Sequence, residues 1–213
     1  MKIVVSYISS IYDRGTTIKI IAKCKDADGI HVDLMDGLYV SEKNFEIKEL
    51  AKLFSGIPKP LDIHLMTDKP SKYFSELLGL NPSCIYIHPK TEENPELVFD
   101  YLSKYNIEPG LVINPDESVE EYEKYFAKVK RVLLMSVIPG AGGQAFLEST
   151  PERLEKLKQF KEKYDFLIYV DGGINDKTIK LVRDADGVVS GSYVCGSEDF
   201  TGRLRKLKKS SNN

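Results

Sequence analysis

The residues best able to do chemistry lie in the segment GIHVDLMDG, at positions 29–37. Its apolar residues are typical of a buried strand, yet they are interleaved with His31 and Asp33. Because side chains alternate between the two faces of a strand, residues two positions apart project from the same face. An imidazole and a carboxylate side by side can bind a metal ion or transfer a proton, and either role would account for polar groups in an apolar strand.

Two later segments repeat these residue types: PLDIHLM (60–66) contains Asp62 and His64, and FLIYVDGG (166–173) carries Asp171. Burying an ionised carboxylate without a partner is costly, and a divalent cation would offset that cost. Two imidazoles with two carboxylates suit zinc, iron, manganese or cobalt, and the residues alone do not rank these metals. The spacing by itself also allows histidines that are satisfied by hydrogen bonds within the core.

The elements that would position these groups follow a regular alternation. Short apolar runs rich in β-branched residues predict eight strands, at 2–8, 29–35, 60–66, 84–89, 110–114, 131–137, 166–173 and 187–192. Amphipathic spacing predicts helices at 94–106, 151–164 and 175–185, and position in the pattern predicts a further helix in DRGTTIKIIAKCKDA.

This alternation predicts a single (β/α)8 barrel domain over residues 1–213, with an open doubly wound sheet as the alternative. No G-x-G-x-x-G motif follows the first strand, which argues against a dinucleotide site. In a barrel, the C-terminal ends of all strands meet at one mouth. The histidines and aspartates would therefore converge there.

Glycine-rich turns follow the last three predicted strands: PGAGGQ (139–144), DGGI (171–174) and SGS (190–192). Glycine lets backbone N–H groups approach an anion closely, and the loops after strands seven and eight of a barrel often bind phosphate. The turns therefore predict a phosphate site, although tight connections alone would also use glycine. Three of the four methionines, Met35, Met66 and Met135, lie near strand ends and predict an apolar lining for the same site.

Composition excludes several classes of function. The net charge of -2 gives no nucleic-acid footprint, and the basic tail RLRKLKKSSNN is interpreted as a solvated last helix with a frayed end at 208–213. The N-terminal segment MKIVVSYISS is too short to span a membrane and lacks a signal-peptide pattern. Three irregularly spaced cysteines, Cys24, Cys84 and Cys195, indicate a reducing compartment, so we expect a cytoplasmic protein.

Six segments together resemble the ribulose-phosphate 3-epimerase family in order and spacing, from Lys2 to about residue 207: IHVDLMDG, LDIHLM, GLVINP, VLLMSVIPGAGGQAF, VDGGI and GSYV. The resemblance implies a (β/α)8 barrel in which one divalent metal ion is held by His31, Asp33, His64 and Asp171. It implies contacts with a sugar phosphate from Ser6, His64, Gly140, Ala141, Gly142, Gly143, Gly172, Gly173, Gly191 and Ser192. It also implies a homo-oligomer, dimeric or hexameric.

The implied reaction interconverts D-ribulose 5-phosphate and D-xylulose 5-phosphate, a step of the pentose phosphate pathway. Epimerisation beside a ketone removes a proton from one face of the carbon and returns one to the other face, so two carboxylates on opposite sides are needed. By resemblance these are Asp33 and Asp171. We expect Asp33 to take the C3 proton and Asp171 to protonate the resulting enediolate on its opposite face, with the metal as Lewis acid and the methionines excluding water.

The chain departs from the family pattern around the pocket. The family usually has GHFVPN where this chain has GLYVSEKN, so the loop Leu38–Asn44 differs. In IPGAGG, Ile138 replaces an asparagine and Ala141 an aromatic residue, and after strand four IHPK offers His88 and Lys90 where the family has histidine and glutamate. Either the pocket accepts another ketose phosphate, such as D-allulose 6-phosphate, or these are tolerated changes in a diverged sequence. We favour the second interpretation.

Two readings from other classes stand beside the epimerase. One is a metal-free phosphate-binding lyase or decarboxylase, but such enzymes need a lysine beside their aspartates and HVDLMDG and DIHLM contain none. The other is a barrel that binds a sugar phosphate without turning it over, which would gain nothing from two opposed bases.

Overall fold

The computed structural model describes residues 1–44 and 47–211, and its eight parallel strands close into a barrel in chain order. The strands are β1 (Lys2–Ser6), β2 (Gly29–Met35), β3 (Leu61–Met66), β4 (Cys84–Ile87), β5 (Glu108–Ile113), β6 (Arg131–Met135), β7 (Leu167–Asp171) and β8 (Gly187–Ser190). Strand β1 pairs with both β2 and β8, which closes the sheet. The (β/α)8 prediction is confirmed and the open sheet is excluded, because an open sheet would leave two edge strands unpaired.

Eight α-helices lie in the described residues: α1 (Arg14–Lys23), α2 (Ile47–Phe54), α3 (Phe74–Leu77), α4 (Pro95–Lys104), α5 (Glu123–Phe126), α6 (Thr150–Lys161), α7 (Ser192–Cys195) and α8 (Phe200–Ser211). The β-branched segment after β1 does form a helix, α1. Its N-terminus is capped by Asp13, whose carboxylate accepts a hydrogen bond from the Thr16 N–H at 2.9 Å.

The helix predicted at 175–185 is wrong, because the segment forms only a 3₁₀ turn at Thr178–Val182. The side chain of Asn175 accepts hydrogen bonds from the N–H groups of Lys177 and Thr178. These local bonds give the backbone an alternative to α-helical pairing at the start of the segment. Several predicted strands also end earlier than expected, since β7 stops at Asp171 and β8 at Ser190.

Helix α8 extends to Ser211, beyond residue 208, where the sequence led us to expect fraying. Leu207 is fully buried and the Lys208 ammonium lies 2.5 Å from an Asp28 carboxylate oxygen, so this end of the helix is tied to the barrel. Residues 212–213 lie outside the described residues. Within the described ranges, no helix is both long and apolar enough to cross a bilayer.

The barrel interior is filled beneath the C-terminal mouth by a small apolar cluster that includes Tyr86 and Tyr169. Each ring occupies the space left by a glycine, because a Cβ at Gly110 would lie 2.3 Å from the Tyr86 ring and one at Gly187 2.3 Å from the Tyr169 ring. A separate and larger core lies between the strands and the outer helices. The interior is therefore a packed support for the mouth, not a channel.

An ion pair closes the N-terminal end of this interior. The guanidinium of Arg131, on β6, lies 2.8 Å from a carboxylate oxygen of Asp62, on β3, also binds Glu108 and stacks over the Tyr169 ring at 5.1 Å. Asp62 shares a strand face with His64, as its spacing predicted, but it is bound by the arginine and does not reach the mouth.

Candidate metal and substrate site

The strand register brings the four predicted metal-binding residues together. Asp33 on β2 lies directly opposite His64 on β3, and His31 is two residues before Asp33 on the same face. Asp171 is the last residue of β7. One possible ligand atom from each of the four residues lies within 4.8 Å of all the others. Side chains separated by up to 140 positions in the sequence thus form one cluster at the C-terminal ends of the strands.

Within the cluster, the imidazole nitrogens face the carboxylates. His31 Nε2 is 3.3 Å from Asp33 Oδ1 and 3.7 Å from Asp171 Oδ2. His64 Nδ1 is 3.2 Å from Asp33 Oδ1 and 3.9 Å from Asp171 Oδ2. Both histidine side chains are fully buried, whereas those of Asp33 and Asp171 are 9% and 15% exposed.

His31 provides the test of whether a metal ion fits. Both of its ring nitrogens are buried and neither has a hydrogen-bond partner among the described residues. A buried polar atom without a partner costs free energy, and native structures rarely leave one. His31 Nε2 lies near both carboxylates without hydrogen-bond geometry and Nδ1 has no partner in the described part of the chain, so hydrogen bonds within the core do not satisfy this ring. The two imidazoles and two carboxylates suit a divalent cation, which would satisfy His31 Nε2 and both acids.

The electrostatic environment shifts the pKa values of the Asp33 and Asp171 carboxyl groups in opposite directions. Burial opposes ionisation of Asp33, but His31 and His64 outweigh it, so the pKa of Asp33 is held well below its usual range. Burial raises the pKa of Asp171 to about 7, with the charge of His31 opposing the rise and that of Asp33 adding to it. Burial also works against the charged form of His31, yet Asp33 and Asp171 raise its pKa to about 9. Neighbouring carboxyls with pKa values pushed apart are the pattern of an acid and a base.

Short-range bonds orient Asp33. The Ser6 hydroxyl donates to Asp33 Oδ2 at 2.7 Å, while Oδ1 faces the imidazoles. Asn44 donates from its side chain to the Asp33 carbonyl at 2.9 Å and accepts from the Met35 N–H at 2.8 Å. The sequence singled out Ser6 but placed Asn44 only at the end of a divergent loop. The signal in the sequence that could have identified Asn44 is a polar amide at the end of the loop that follows β2.

A partly open cavity lies above this cluster. Its walls include all the residues predicted to contact a sugar phosphate: Ser6, His64, Gly140, Ala141, Gly142, Gly143, Gly172, Gly173, Gly191 and Ser192. Asp33, Asp171, Met66 and Met135 also line it. Among the described residues, no lysine or arginine does.

Met35 does not line this cavity, contrary to the sequence prediction. It lies instead in an adjoining pocket with Tyr7 and Asn44. The loop after β2 folds back onto the end of the strand, with an isolated bridge between Asp36 and Lys43, and this places Met35 under the loop.

Two glycines give the cavity wall its close backbone approach. Gly172 has a φ of 114°, and a Cβ there would lie 2.4 Å from Val137. Gly173 has a φ of 62°, and a Cβ there would lie 2.6 Å from the Phe146 nitrogen. Both positions therefore require glycine, since a side chain would be strained and would clash.

Known proteins that are similar in sequence identify the family of this chain. A model of the ribulose-phosphate 3 epimerase family matches residues 2–195. Ribulose-phosphate 3-epimerases from two strains of Helicobacter pylori are 38% and 39% identical, over 93% of this chain and 93% of their own length. The chain belongs to the ribulose-phosphate 3-epimerase family.

The fold has wider relatives than the family. The 3-keto-L-gulonate-6-phosphate decarboxylase of Vibrio cholerae superposes with a TM-score of 0.71, covering 99% of this chain and 97% of that one, at 13% identity. At this identity the likeness establishes the barrel architecture alone.

The residues that differ from the family pattern lie at different positions around the mouth. Ile138 is 67% exposed beside the mouth, and Ala141 is exposed in the same loop. Gln144 closes this loop by donating to the carbonyls of Ile138 and Ala141 at 2.6 and 2.8 Å. Lys90 faces away from the cavity and pairs with Glu117 at 3.1 Å.

His88 is a further residue of the site that the sequence did not assign. It follows β4, is buried, and its Nε2 lies 2.9 Å from His64 Nε2. All three histidines of the chain therefore belong to one group. Burial lowers the pKa of both His64 and His88, with the neighbouring Asp33 opposing the shift at His64. The signal available in the sequence was IHPK, a histidine at the end of a predicted strand.

Proposed function

We propose that the chain is a metal-dependent 3-epimerase that interconverts D-ribulose 5-phosphate and D-xylulose 5-phosphate. The observation that carries the proposal is the pair Asp33 and Asp171, which line one cavity while their pKa values are driven in opposite directions. Membership of the family and the names of the Helicobacter pylori relatives support the same reaction.

His31, Asp33, His64 and Asp171 would hold one divalent ion, of zinc, iron, manganese or cobalt. When bound, such an ion supplies a Lewis acid that stabilises negative charge on the substrate oxygens. The requirement for a metal is part of the proposal, supported by the unpartnered nitrogens of His31.

The proton transfers are assigned to the chain's own carboxylates. Asp33, kept ionised by its imidazole neighbours, removes the C3 proton and so generates an enediolate of the substrate. Asp171, whose pKa of about 7 lets it carry a proton, returns one to the other face of C3. In the reverse direction the roles exchange. Ser6, which donates to Asp33 at 2.7 Å, keeps that carboxylate aimed at the cavity.

The remaining walls bind and shield the substrate. The phosphate would be held by backbone groups at Gly172–Gly173 and Gly191 and by the Ser192 hydroxyl, without a basic side chain. Met66 and Met135 present apolar surface to the reacting carbons and limit the access of water that would quench the enediolate. A homo-oligomer, dimeric or hexameric, is also proposed, and light scattering after gel filtration tests it.

The experiment is a direct comparison of substrates. Purified protein, loaded separately with zinc, iron(II), manganese or cobalt, is assayed with D-ribulose 5-phosphate and with D-allulose 6-phosphate. We expect the pentulose phosphate to have the higher kcat/KM. A preference for the hexulose phosphate would replace the proposed substrate and would point to the loop Leu38–Asn44 and to Ala141. Activity on neither compound with any metal would contradict the epimerase and favour a barrel that only binds sugar phosphates.

A further inference from the structure

A chain of hydrogen bonds leads away from the proposed metal site into the wall of the barrel mouth. His64 Nε2 lies 2.9 Å from His88 Nε2, and His88 Nδ1 lies 3.0 Å from the Tyr39 hydroxyl. The amide nitrogen of Asn114 lies 2.9 Å from the same hydroxyl. The four residues come from β3, from the loop after β4, from the loop after β2 and from the end of β5. None of His88, Tyr39 and Asn114 lines the cavity.

Each link in this chain has a direction. A neutral imidazole has one donor and one acceptor nitrogen, a tyrosine hydroxyl can donate once and accept, and an amide can present either its NH₂ or its oxygen. Because neighbouring links share these groups, fixing the proton at one end of the chain fixes all of them. The hydrogen bonds that link Asn114, Tyr39, His88 and His64 can therefore run in only two ways, all donating towards His64 or all donating towards Asn114.

The bonds of the protein alone select one direction. His64 Nδ1 faces Asp33 Oδ1 at 3.2 Å, and a carboxylate only accepts, so His64 carries its proton on Nδ1. Its Nε2 then accepts from His88 Nε2–H, His88 Nδ1 accepts from the Tyr39 hydroxyl, and Tyr39 accepts from the Asn114 amide. Every link from Asn114 to Asp33 is satisfied in this sense.

A metal ion on His64 Nδ1 requires the opposite direction, because a coordinating nitrogen cannot keep its proton. His64 must then carry its proton on Nε2 and donate to His88, which must in turn donate from Nδ1 to Tyr39. Tyr39 needs a new acceptor for its own proton. The Asn114 side-chain oxygen is buried without a hydrogen-bond partner in the described residues, and a half-turn of the amide would bring it to Tyr39.

We propose that His88, Tyr39 and Asn114 form a reversible relay that switches the tautomer of His64 and so prepares it to bind the metal ion. The inference rests on the proposed metal site. In the switch, a proton passes from His88 Nε2 to His64 Nε2 and another from Tyr39 to His88 Nδ1. One proton leaves His64 Nδ1 and one is taken up from solvent at the half-buried Tyr39, so each group keeps one proton and stays neutral.

The relay makes Tyr39 and His88 positioning residues: they act through His64 and not on the substrate. It also gives a role to Tyr39, which lies in the loop where this chain departs from the family pattern. Partners of this kind behind a metal-bound histidine typically change metal affinity by about 10- to 100-fold when removed.

The test uses the three histidines of the full-length chain as reporters. Long-range ¹H–¹⁵N spectra of labelled protein report the tautomer of each ring, before and after one equivalent of zinc is added. We expect His64 to change from the Nδ1–H to the Nε2–H form, and His88 to change from Nε2–H to Nδ1–H in the same titration. A His88 tautomer that does not change while His64 binds zinc overturns the relay.

Zinc affinity, measured by competition with a chromophoric chelator, provides the second readout. Tyr39→Phe and His88→Leu should each bind zinc about tenfold or more weakly than the wild type. His88→Gln should recover most of the loss relative to His88→Leu, because an amide can donate or accept at the position of the lost Nε2. Tyr125→Phe, at a half-buried tyrosine packed on Phe99 outside the barrel, is the matched control and should bind as the wild type does.

The failures are distinguishable. If the wild type binds zinc and Tyr39→Phe binds it equally well, or if His88→Gln is as weak as His88→Leu, the relay is wrong and the metal site stands. If the wild type takes up none of zinc, iron(II), manganese and cobalt, the metal site itself is refuted and the relay with it. Circular dichroism and thermal unfolding of each variant confirm that the affinities compared are those of folded protein.

Discussion

Asp33 and His64 lie directly opposite each other on β2 and β3, with Asp33 Oδ1 3.2 Å from His64 Nδ1. One carboxylate is thus tied at once to an imidazole of the next strand and, through its other oxygen, to the Ser6 hydroxyl on the strand before. This arrangement fixes Asp33 in orientation and keeps it ionised, and it is the basis for assigning Asp33 as a base paired with Asp171.

The two-base assignment predicts opposite defects in two variants. Asp33→Asn and Asp171→Asn should each lose epimerisation by about 10²- to 10⁴-fold, because each removes one of the groups that transfer a proton at C3. Each variant should still exchange the C3 hydrogen of one epimer with solvent deuterium, and the two variants should differ in which epimer that is. Mass spectrometry of each sugar phosphate, incubated alone in D₂O, measures this exchange.

Asp165→Asn is the matched control for these variants, because its side chain is 98% exposed and distant from the mouth, and it should epimerise as the wild type does. If either active-site variant exchanged the C3 hydrogens of both epimers at the normal rate, the two-base mechanism would be contradicted.

Metal removal should reduce both activity and stability. Ligands that bind only the folded state stabilise it by about 2.7 kcal/mol at a free concentration of 100 times Kd. For a chain of this length, that corresponds to a rise in Tm of roughly 5–10 °C. Differential scanning fluorimetry with a chelator and then with excess zinc measures the shift. His31→Ala should abolish the shift, since it removes one of the four proposed metal ligands; an undiminished shift in that variant would place the zinc elsewhere.

The phosphate assignment predicts an effect on KM. Ser192→Ala removes a hydroxyl from the cavity wall that carries no lysine or arginine among the described residues. Loss of one hydrogen bond to a charged group costs about 1.5–3 kcal/mol, so KM should rise by roughly 10- to 100-fold while kcat changes little. Inhibition by inorganic phosphate should weaken in parallel. Ser75→Ala, at an exposed serine on α3, is the control, and equal KM values in the two variants would exclude Ser192 from substrate binding.

Removing the Arg131–Asp62 ion pair at the N-terminal end of the barrel should reduce the free energy of unfolding. Arg131→Met leaves Asp62 buried without its cation, which typically costs about 3–5 kcal/mol of unfolding free energy. Lys158→Met, which removes only exposed ion pairs with Glu155 and Asp184, should cost less than about 1 kcal/mol. Urea unfolding of both variants measures the difference. Similar losses would show that the buried Arg131–Asp62 pair contributes no more to stability than the exposed pairs of Lys158.

The same ion pair gives a pH dependence. Burial raises the pKa of Asp62 in the folded state, and the opposing effect of Arg131 limits that rise. Without the arginine the pKa should rise further. A carboxyl whose pKa is higher in the folded than in the unfolded state contributes stability that is lost as pH increases through that window. The deficit of Arg131→Met relative to the wild type should therefore be smaller near pH 4 than near pH 7, as urea unfolding at the two values would measure.

From the sequence alone a barrel was favoured over an open doubly wound sheet, because eight short apolar runs alternate with polar segments and each run is long enough for one strand. The pairing of β1 with β8 then excluded the open sheet. The residue types that meet at the mouth were also predictable, since the two-residue spacing of His31 and Asp33 and the position of His64 near the end of its run follow from local strand geometry. Local patterns of this kind depend only on the neighbouring residues, so they can be read without a structure.

Which of these groups meet depends on contacts between distant strands and loops. Asp62 and His64 share a strand face, yet Arg131 binds one and Asp33 faces the other, because their partners come from different strands at different depths of the barrel. Met35 lies outside the cavity because a loop folds over it. The contact of His88 with His64 and Tyr39 depends on how two loops lie together, and no spacing along the chain encodes such contacts between distant segments.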